Sequence, residues 1–384
     1  MTQRAALAEL ATLFLRLGIT AFGGPAAHIA MMRDEVVERR QWLTDAEFLD
    51  LLAATNLIPG PNSTEMAMHL GYKHGGLAGL VLAGSCFILP ASLIVLAIAC
   101  AYTVYGSTPQ AAWVMYGVGP VVIAIVLQAV VKLGRTAVTG VVPALLGIAV
   151  VGLSVAGVNE LVLLALGALV GLTLAVGRAG RSLIAVAIAT GTAAAHLTAT
   201  AVAVTAEAVP VTLTRLTLFF AKIGSILFGS GYVLLAFLRA DLTERWGWLS
   251  DQQLIDAVTV GQVTPGPVFT TATFIGYLLG GWVGATLATV AIFLPGFVFV
   301  AITQPFIQTL RRSTVMGGLL DGVIVSSLGL MLAVTWRLAQ SAVVDIPTAL
   351  LAGAAAVGLI WWKVNSTGLI IGGALAGWLL RAGG

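Results

Sequence analysis

Two short stretches carry the residue types that could hold an anion: Ile58-Pro59-Gly60-Pro61-Asn62-Ser63-Thr64 and Thr264-Pro265-Gly266-Pro267-Val268-Phe269-Thr270. Each is a Pro-Gly-Pro break followed by residues able to resume a helix. Proline at a first helical position lacks only an amide that has no partner there, and its fixed φ suits a helix start. Each triplet therefore predicts a helix N-terminus just after itself. Such a terminus offers unbonded amides and the positive end of the helix dipole, which together attract an anion. The candidate binding residues are Gly60, Asn62, Ser63 and Thr64 in the first stretch, and Gly266, Thr270 and Thr271 in and just after the second. The breaks at Gly23-Gly24 and Gly229-Ser230-Gly231 are of the same kind. Four histidines show no metal-ligand spacing, and no nucleotide loop, catalytic triad or zinc motif is present. Neither a metal, a cofactor nor an enzymatic activity is expected.

Charge inside apolar segments is the second kind of signal, because it is expensive there and marks function by default. Arg16 and Lys222 each sit in an apolar segment, 206 residues apart. One cation from each could together neutralise a dianion, or each could reach an interface or a nearby acceptor. Glu65, just past the first break, and Asp321, near the start of a late apolar segment, are candidates for proton coupling.

These residues must be positioned by membrane-spanning helices. The chain is 59% hydrophobic and 9% charged, against about 25% charged in soluble domains. Its mean hydropathy is +1.02. That excludes an ordinary soluble protein. The net charge of +3 reads as loop lysines and arginines that set orientation, not as nucleic-acid binding. Cys86 and Cys100 share one apolar segment and read as packing residues. Arg4 leads into a helix longer than a signal-peptide core, so no cleavable leader is expected.

The first apolar segment, from about 5 to 21, breaks at Phe22-Gly23-Gly24-Pro25, and a second helical stretch leads into the charged run from Arg33 to Arg40, read as an interfacial or solvent-facing loop. Thr44 and Glu47 predict a capping box, and Ser250 and Gln253 predict another. A short helix should carry Glu65 and His69 to Gly75-Gly76. Spans are expected at roughly 77–104, 113–132, 138–157, 159–177, 214–237, 282–303, 316–337, 346–362 and 367–381, with 182–208 either a further crossing or a surface linker.

The chain repeats itself. At an offset of 206, Phe22-Gly23 falls on Phe228-Gly229, Arg33 on Arg239, Glu38-Arg39 on Glu244-Arg245, Trp42-Leu43 on Trp248-Leu249 and Pro59-Gly60-Pro61 on Pro265-Gly266-Pro267. After a slip of one, Gly71-Tyr72, Gly75-Gly76 and Leu89-Pro90 fall on Gly276-Tyr277, Gly280-Gly281 and Leu294-Pro295. Two repeats follow, 1–205 and 206–384. Internal duplication is typical of transporters whose site lies between the repeats. Five crossings in the first repeat would invert the second and six would make it parallel. The lysines and arginines leave the two schemes tied.

The Phe-Gly-Gly-Pro, Arg33-Asp34-Glu35-Val36-Val37, Trp42-Leu43, Pro-Gly-Pro and Gly-Tyr…Gly-Gly…Leu-Pro blocks resemble the chromate ion transporter family. So do Phe228-Gly229-Ser230-Gly231-Tyr232, Gln262-Val263-Thr264-Pro265-Gly266-Pro267, Ile275-Gly276-Tyr277 and Leu320-Asp321-Gly322-Val323 in the second half. The resemblance implies a multi-pass protein of the bacterial inner membrane that exports chromate, with sulfate the natural competitor. It also implies halves of opposite orientation, which breaks the tie toward inverted repeats. Ile324 stands where the family pattern has Asn. The fold expected is all-α and polytopic, with about 10–12 helices and broken or re-entrant half-helices at the Pro-Gly-Pro motifs. The partners expected are chromate or sulfate, the lipid bilayer and, as an option, a second copy of the chain. A membrane-embedded enzyme is the remote alternative.

Overall fold

The structure, a computed structural model, describes residues 3–22, 24–55, 58–106, 108–138, 140–177, 210–227, 234–306, 314–362, 364 and 366–382. The first repeat comprises α1 (Gln3–Thr20), α2 (Gly24–Arg33), α3 (Asp45–Thr55), α4 (Asn62–Tyr105), α5 (Pro109–Ala137), α6 (Val141–Val155) and α7 (Glu160–Gly177). The second comprises α8 (Leu213–Ile226), α9 (Leu234–Leu238), α10 (Asp251–Val263), α11 (Thr271–Thr303), α12 (Thr314–Ala342), α13 (Ile346–Ile360) and α14 (Ser366–Ala382). The order recurs helix for helix, and no strand occurs among the described residues. Both capping boxes form. Thr44 N–H donates to Glu47 at 3.0 Å and Glu47 N–H to the Thr44 hydroxyl at 3.3 Å. Ser250 and Gln253 do the same at the start of α10.

Three expectations are corrected. The charged run is not a loop: α2 continues directly into a π-helical stretch, Asp34–Arg39, and α9 into its counterpart, Arg239–Arg245. The run stays helical because Glu35 and Asp241, both 5% exposed, turn inward to meet cations. The span expected at 214–237 is two helices. Helix α8 ends at Ile226, and Leu227 is extended at φ −77° and ψ 110°. The spans expected at 138–157 and 346–362 are α6 and α13, 15 residues each, shorter than the ~20 residues of an upright crossing. Residues 182–208 lie outside the described residues.

Helix α4 is two limbs folded against each other. Gly75 (φ −142°) and Gly76 (φ 61°) break it, and a Cβ added to Gly71 would collide with the Gly79 carbonyl and lie 2.6 Å from the Ala83 methyl. Residues eight to twelve apart meet only if the chain doubles back. The second repeat matches: Gly280 and Gly281 break α11, and Thr273 and Thr289 share a hydrogen bond of 2.7 Å across the reversal. Glycine at φ near +60° is what permits so tight a turn. Lys73, paired with Glu47 at 3.3 Å, and His74, stacked on Trp42, place the first turn in a polar surface layer. From there the short limb back to Asn62 rises about 20 Å at 1.5 Å per residue. The Pro-Gly-Pro break therefore lies near the centre of a hydrocarbon layer about 30 Å thick.

The two turns lie on opposite faces. Gly296 of α11 lies beside Glu65, in the first turn of the short limb at the break end, and Gln304 just beyond α11 meets His69, nearer the Gly75 turn. The long limb of α11 thus runs from its own turn toward the other one. Tyr102, near the far end of α4, packs on Phe274 with centroids 5.1 Å apart, close to the Gly280 turn. The repeats are inverted.

Each repeat also lends its last two helices to the other. Helices α6 and α7 pack on α12, whereas α13 and α14 pack on α5. Small residues let the backbones touch: a Cβ on Gly117 would strike Gly373 and Gly377, and a Cβ on Gly322 would strike Gly167 and Gly171. Such close glycine approaches are how helices associate where lipid removes the hydrophobic drive.

Candidate functional site

The two breaks of each repeat meet those of the other at the centre. Gly60 N–H donates to the Leu227 carbonyl at 2.8 Å, and Gly266 N–H donates to the Ala21 carbonyl at 2.9 Å. Gly60 and Gly266 are repeat counterparts, as are Ala21 and Leu227, so this is one contact made twice about a two-fold axis. Both carbonyls lie just past the last turn of a helix, α1 or α8, where acceptors are left over. His28 ties the Gly266–Ala21 crossing to the start of α4. Its Nε2–H donates to Ala21 at 3.0 Å, and its Nδ1 lies 3.2 Å from the Ser63 hydroxyl. The glycine amides are therefore spent on this lock and are not themselves donors to a bound ion.

The helix starts differ between the two sides. In α4 the amides of Thr64 and Glu65 bond back to the Pro61 carbonyl, at 2.7 and 3.1 Å. The first-turn amide of Ser63 has no intrahelical acceptor. The Thr64 hydroxyl is buried with no partner. On the second side Thr270 and Thr271 donate their hydroxyls to the Pro267 and Val268 carbonyls, each at 2.8 Å, so those protons are used within the turn. Gly24 opens α2 at φ 78°. Gly23 and Gly229 lie outside the described residues.

Glu65 is fully buried, and neither carboxylate oxygen has a hydrogen-bond partner. A Cβ on Gly60 would collide with its Oε1, and one on Gly296 would lie 3.9 Å from it. The side chain thus folds back over its own helix start and lies against the Pro-Gly-Pro turn. Thr271 holds the matching place in the second repeat. Ser92 and Gln262 are further buried polar side chains near the breaks, with unpartnered Oγ and Nε2 atoms.

The predicted cations do not meet at the centre. Arg16 pairs with Glu35 at 2.6 Å, and Lys222 pairs with Asp241 at 2.5 Å. These are counterparts, each pair within its own repeat, so inversion sets them on opposite sides of the break layer. Glu35 also takes Arg39 at 2.9 Å and Arg40, whereas Asp241 has Arg245 at 3.6 Å. Burial works against the Glu35 charge, but Arg16 and Arg40 outweigh it and hold the carboxyl below the usual glutamate range. Asp321 is exposed on α12, which packs on α5, α6 and α7, and is not brought to the breaks.

Sequence reasoning missed the carbonyls of Ala21 and Leu227, the Gly296 contact, and Glu35 and Asp241. The acids had a signal, since both fall at the 206 offset. They escaped because the match is Glu to Asp rather than identity.

Inverted repeats, helices broken at mid-depth and buried polar groups at the crossing define a multi-pass membrane transporter of the helical, cell-membrane type. The chromate transporter family profile matches twice, over residues 8–172 and 214–378, and the chain belongs to that family. It is 36% identical to the chromate transport protein of Cupriavidus metallidurans, covering 96% of this chain and 91% of that one. It is 34% identical to the probable chromate transport protein of Synechococcus elongatus, over 90% and 88%. It is 33% identical to the chromate transport protein of Pseudomonas aeruginosa, over 97% and 92%. No solved structure matches.

Proposed function

We propose that this chain is a secondary transporter that exports chromate across the bacterial inner membrane and thereby confers chromate resistance. The observation that carries the reading is the reciprocal crossing of the two Pro-Gly-Pro breaks near mid-depth. A tetrahedral dianion needs hydrogen-bond donors and positive potential in a low-dielectric layer, and helix starts supply both without a buried full charge. The binding residues in this reading are Asn62, Ser63 and Thr64 on one side and Thr270 and Thr271 on the other, with Gly60 and Gly266 shaping the turns that present them; from the sequence pattern alone the reading also includes Gly23, Gly24 and Gly229. The threonine hydroxyls contribute by turning away from their own carbonyls. Arg16 and Lys222 act in sequence, one on each side, drawing the anion inward as their acids release them. Glu65 is the proton-coupling residue; Asp321, exposed and outside the crossing, is the weaker candidate.

The test is chromate uptake into everted vesicles from cells expressing the protein, with survival on chromate measured in parallel. Arg16→Gln or Lys222→Gln should cut uptake at least about tenfold, equal to about 1.4 kcal/mol, per unit of protein in the membrane. Competition by sulfate, molybdate and phosphate fixes the substrate. Uptake of sulfate with none of chromate would replace this reading by that of a sulfate carrier.

A further inference from the structure

Resting on that reading, we propose that Glu65 and the transported dianion compete for one electropositive helix start, so that a proton must enter on Glu65 for the anion to bind. The carrier then moves one proton and one dianion together, as a net single negative charge. Glu65 lies four positions into α4, and its carboxyl reaches back to Gly60, over the mouth that the anion would occupy. It is fully buried and makes no hydrogen bond to the described protein. A carboxylate and a dianion cannot share a water-poor pocket, because like charges a few ångströms apart repel strongly there. Protonation removes the conflict and converts the carboxyl from an acceptor into a donor that an oxyanion can use.

Other charges do not take over this role. The elements packed on α4 are α1, α2, α3, α10, α11 and the Val268–Thr270 turn. Their described Lys, Arg, Asp and Glu side chains make no ion pair with Glu65. The titratable groups nearest Glu65 on this limb are His28, through Ser63, and His69, one helical turn toward the Gly75 surface, whereas Lys73 with its partner Glu47, and His74, sit at the surface end. His69 Nδ1 lies 2.5 Å from Gln304 Oε1, and its Nε2 is buried without a partner. It offers a path by which the proton reaches Glu65 from that side. The second repeat has Thr271 instead of an acid, so one proton moves per anion, not two.

The sign has a consequence for energetics. A proton taken up with the anion makes the outward step electrogenic, favoured by an inside-negative potential and opposed by an inward proton gradient. One charge across about 100 mV shifts the distribution about fiftyfold.

The test measures chromate binding by purified full-length protein in detergent against pH. Wild type should gain about tenfold in affinity per unit of acidification beyond Glu65→Gln, whose slope reports protonation of the ion alone. Glu65→Asp should keep the wild-type slope. Wild type in weak buffer should also take up one proton per chromate bound, a measurement that needs no variant to fold. In vesicles clamped with potassium and valinomycin, the potential alone should drive flux. Equal slopes for wild type and Glu65→Gln, or proton release on binding, overturn the proposal while chromate binding stands. No chromate binding by wild type overturns the functional reading itself.

Discussion

Gly266→Ala is the sharpest probe of the crossing. Gly266 sits at φ +87°, and a methyl placed there would lie 2.6 Å from the Ala91 methyl and 3.2 Å from the Gly18 carbonyl. The backbone strain of a non-glycine residue in such a region costs about 1–3 kcal/mol. Forcing a methyl into a filled site costs about 1–3 kcal/mol more. If the loop moves away instead, the Gly266 N–H bond to Ala21 is lost, at about 0.5–1.5 kcal/mol. The sum is about 2–6 kcal/mol. At roughly 1–2 °C per kcal/mol for a chain this long, the apparent Tm in detergent should fall by about 2–12 °C. The control is Gly281→Ala, at φ +57° with nothing within 4 Å, which bears the backbone cost alone. Adding Ala91→Gly to Gly266→Ala should recover the steric part and leave the strain. Thermal unfolding and chromate uptake are read on all four proteins. Equal Tm for Gly266→Ala and Gly281→Ala, with no rescue by Ala91→Gly, would refute the convergence of the breaks.

Lys222→Gln should destabilise by about 1–3 kcal/mol, the buried-pair cost discounted for a partly exposed lysine, because among the described residues Asp241 then keeps Arg245 at 3.6 Å. Arg16→Gln should cost less, since Glu35 retains Arg39 and Arg40, and Lys222→Gln with Asp241→Asn should return toward wild type in the same melts. Glu47 is held below its usual range first by Thr44 N–H, then by the Thr44 hydroxyl and Lys73. A depressed carboxyl contributes stability above its unfolded value of about 4.3 and loses it as pH falls further. Amide protection in the first turn of α3 should drop across that acid window, and Thr44→Ala should move the drop to higher pH. Gly322→Ala, which drives a methyl into the Gly167 carbonyl, should cost about 1–3 kcal/mol, while Gly317→Ala, with open space around it, should leave the melting temperature unchanged.

Much of this architecture was legible because the duplication carried turn and charge residues along with the apolar ones. The Pro-Gly-Pro triplets marked helix starts by local chemistry alone, and the two capping boxes fell where Thr44 and Ser250 put them. What could not be read was anything set by long-range packing. Hydropathy cannot tell the single span expected at 214–237 from two helices broken past Ile226. Nor can it show that Gly75-Gly76 reverses a chain that stays apolar on both sides. Lysines and arginines left the orientation tied, the resemblance implied inversion, and Gly296 and Gln304 beside Glu65 and His69 agree with it. Arg16 and Lys222 looked like two arms of one clamp because composition lists cations without their partners. Glu35, hidden in a run read as a loop, and its counterpart Asp241 are the partners that hold them.

The exchange of terminal hairpins between the halves bears on how the protein is made. Helices α6 and α7 leave the ribosome long before α12, the helix they must grip. Until α12 arrives, their glycine faces have only lipid or the insertion machinery to lean on. A truncated polypeptide ending after α7 should therefore remain an assembly intermediate, subject to proteolysis, and should be completed by co-expressing the missing half as a separate chain.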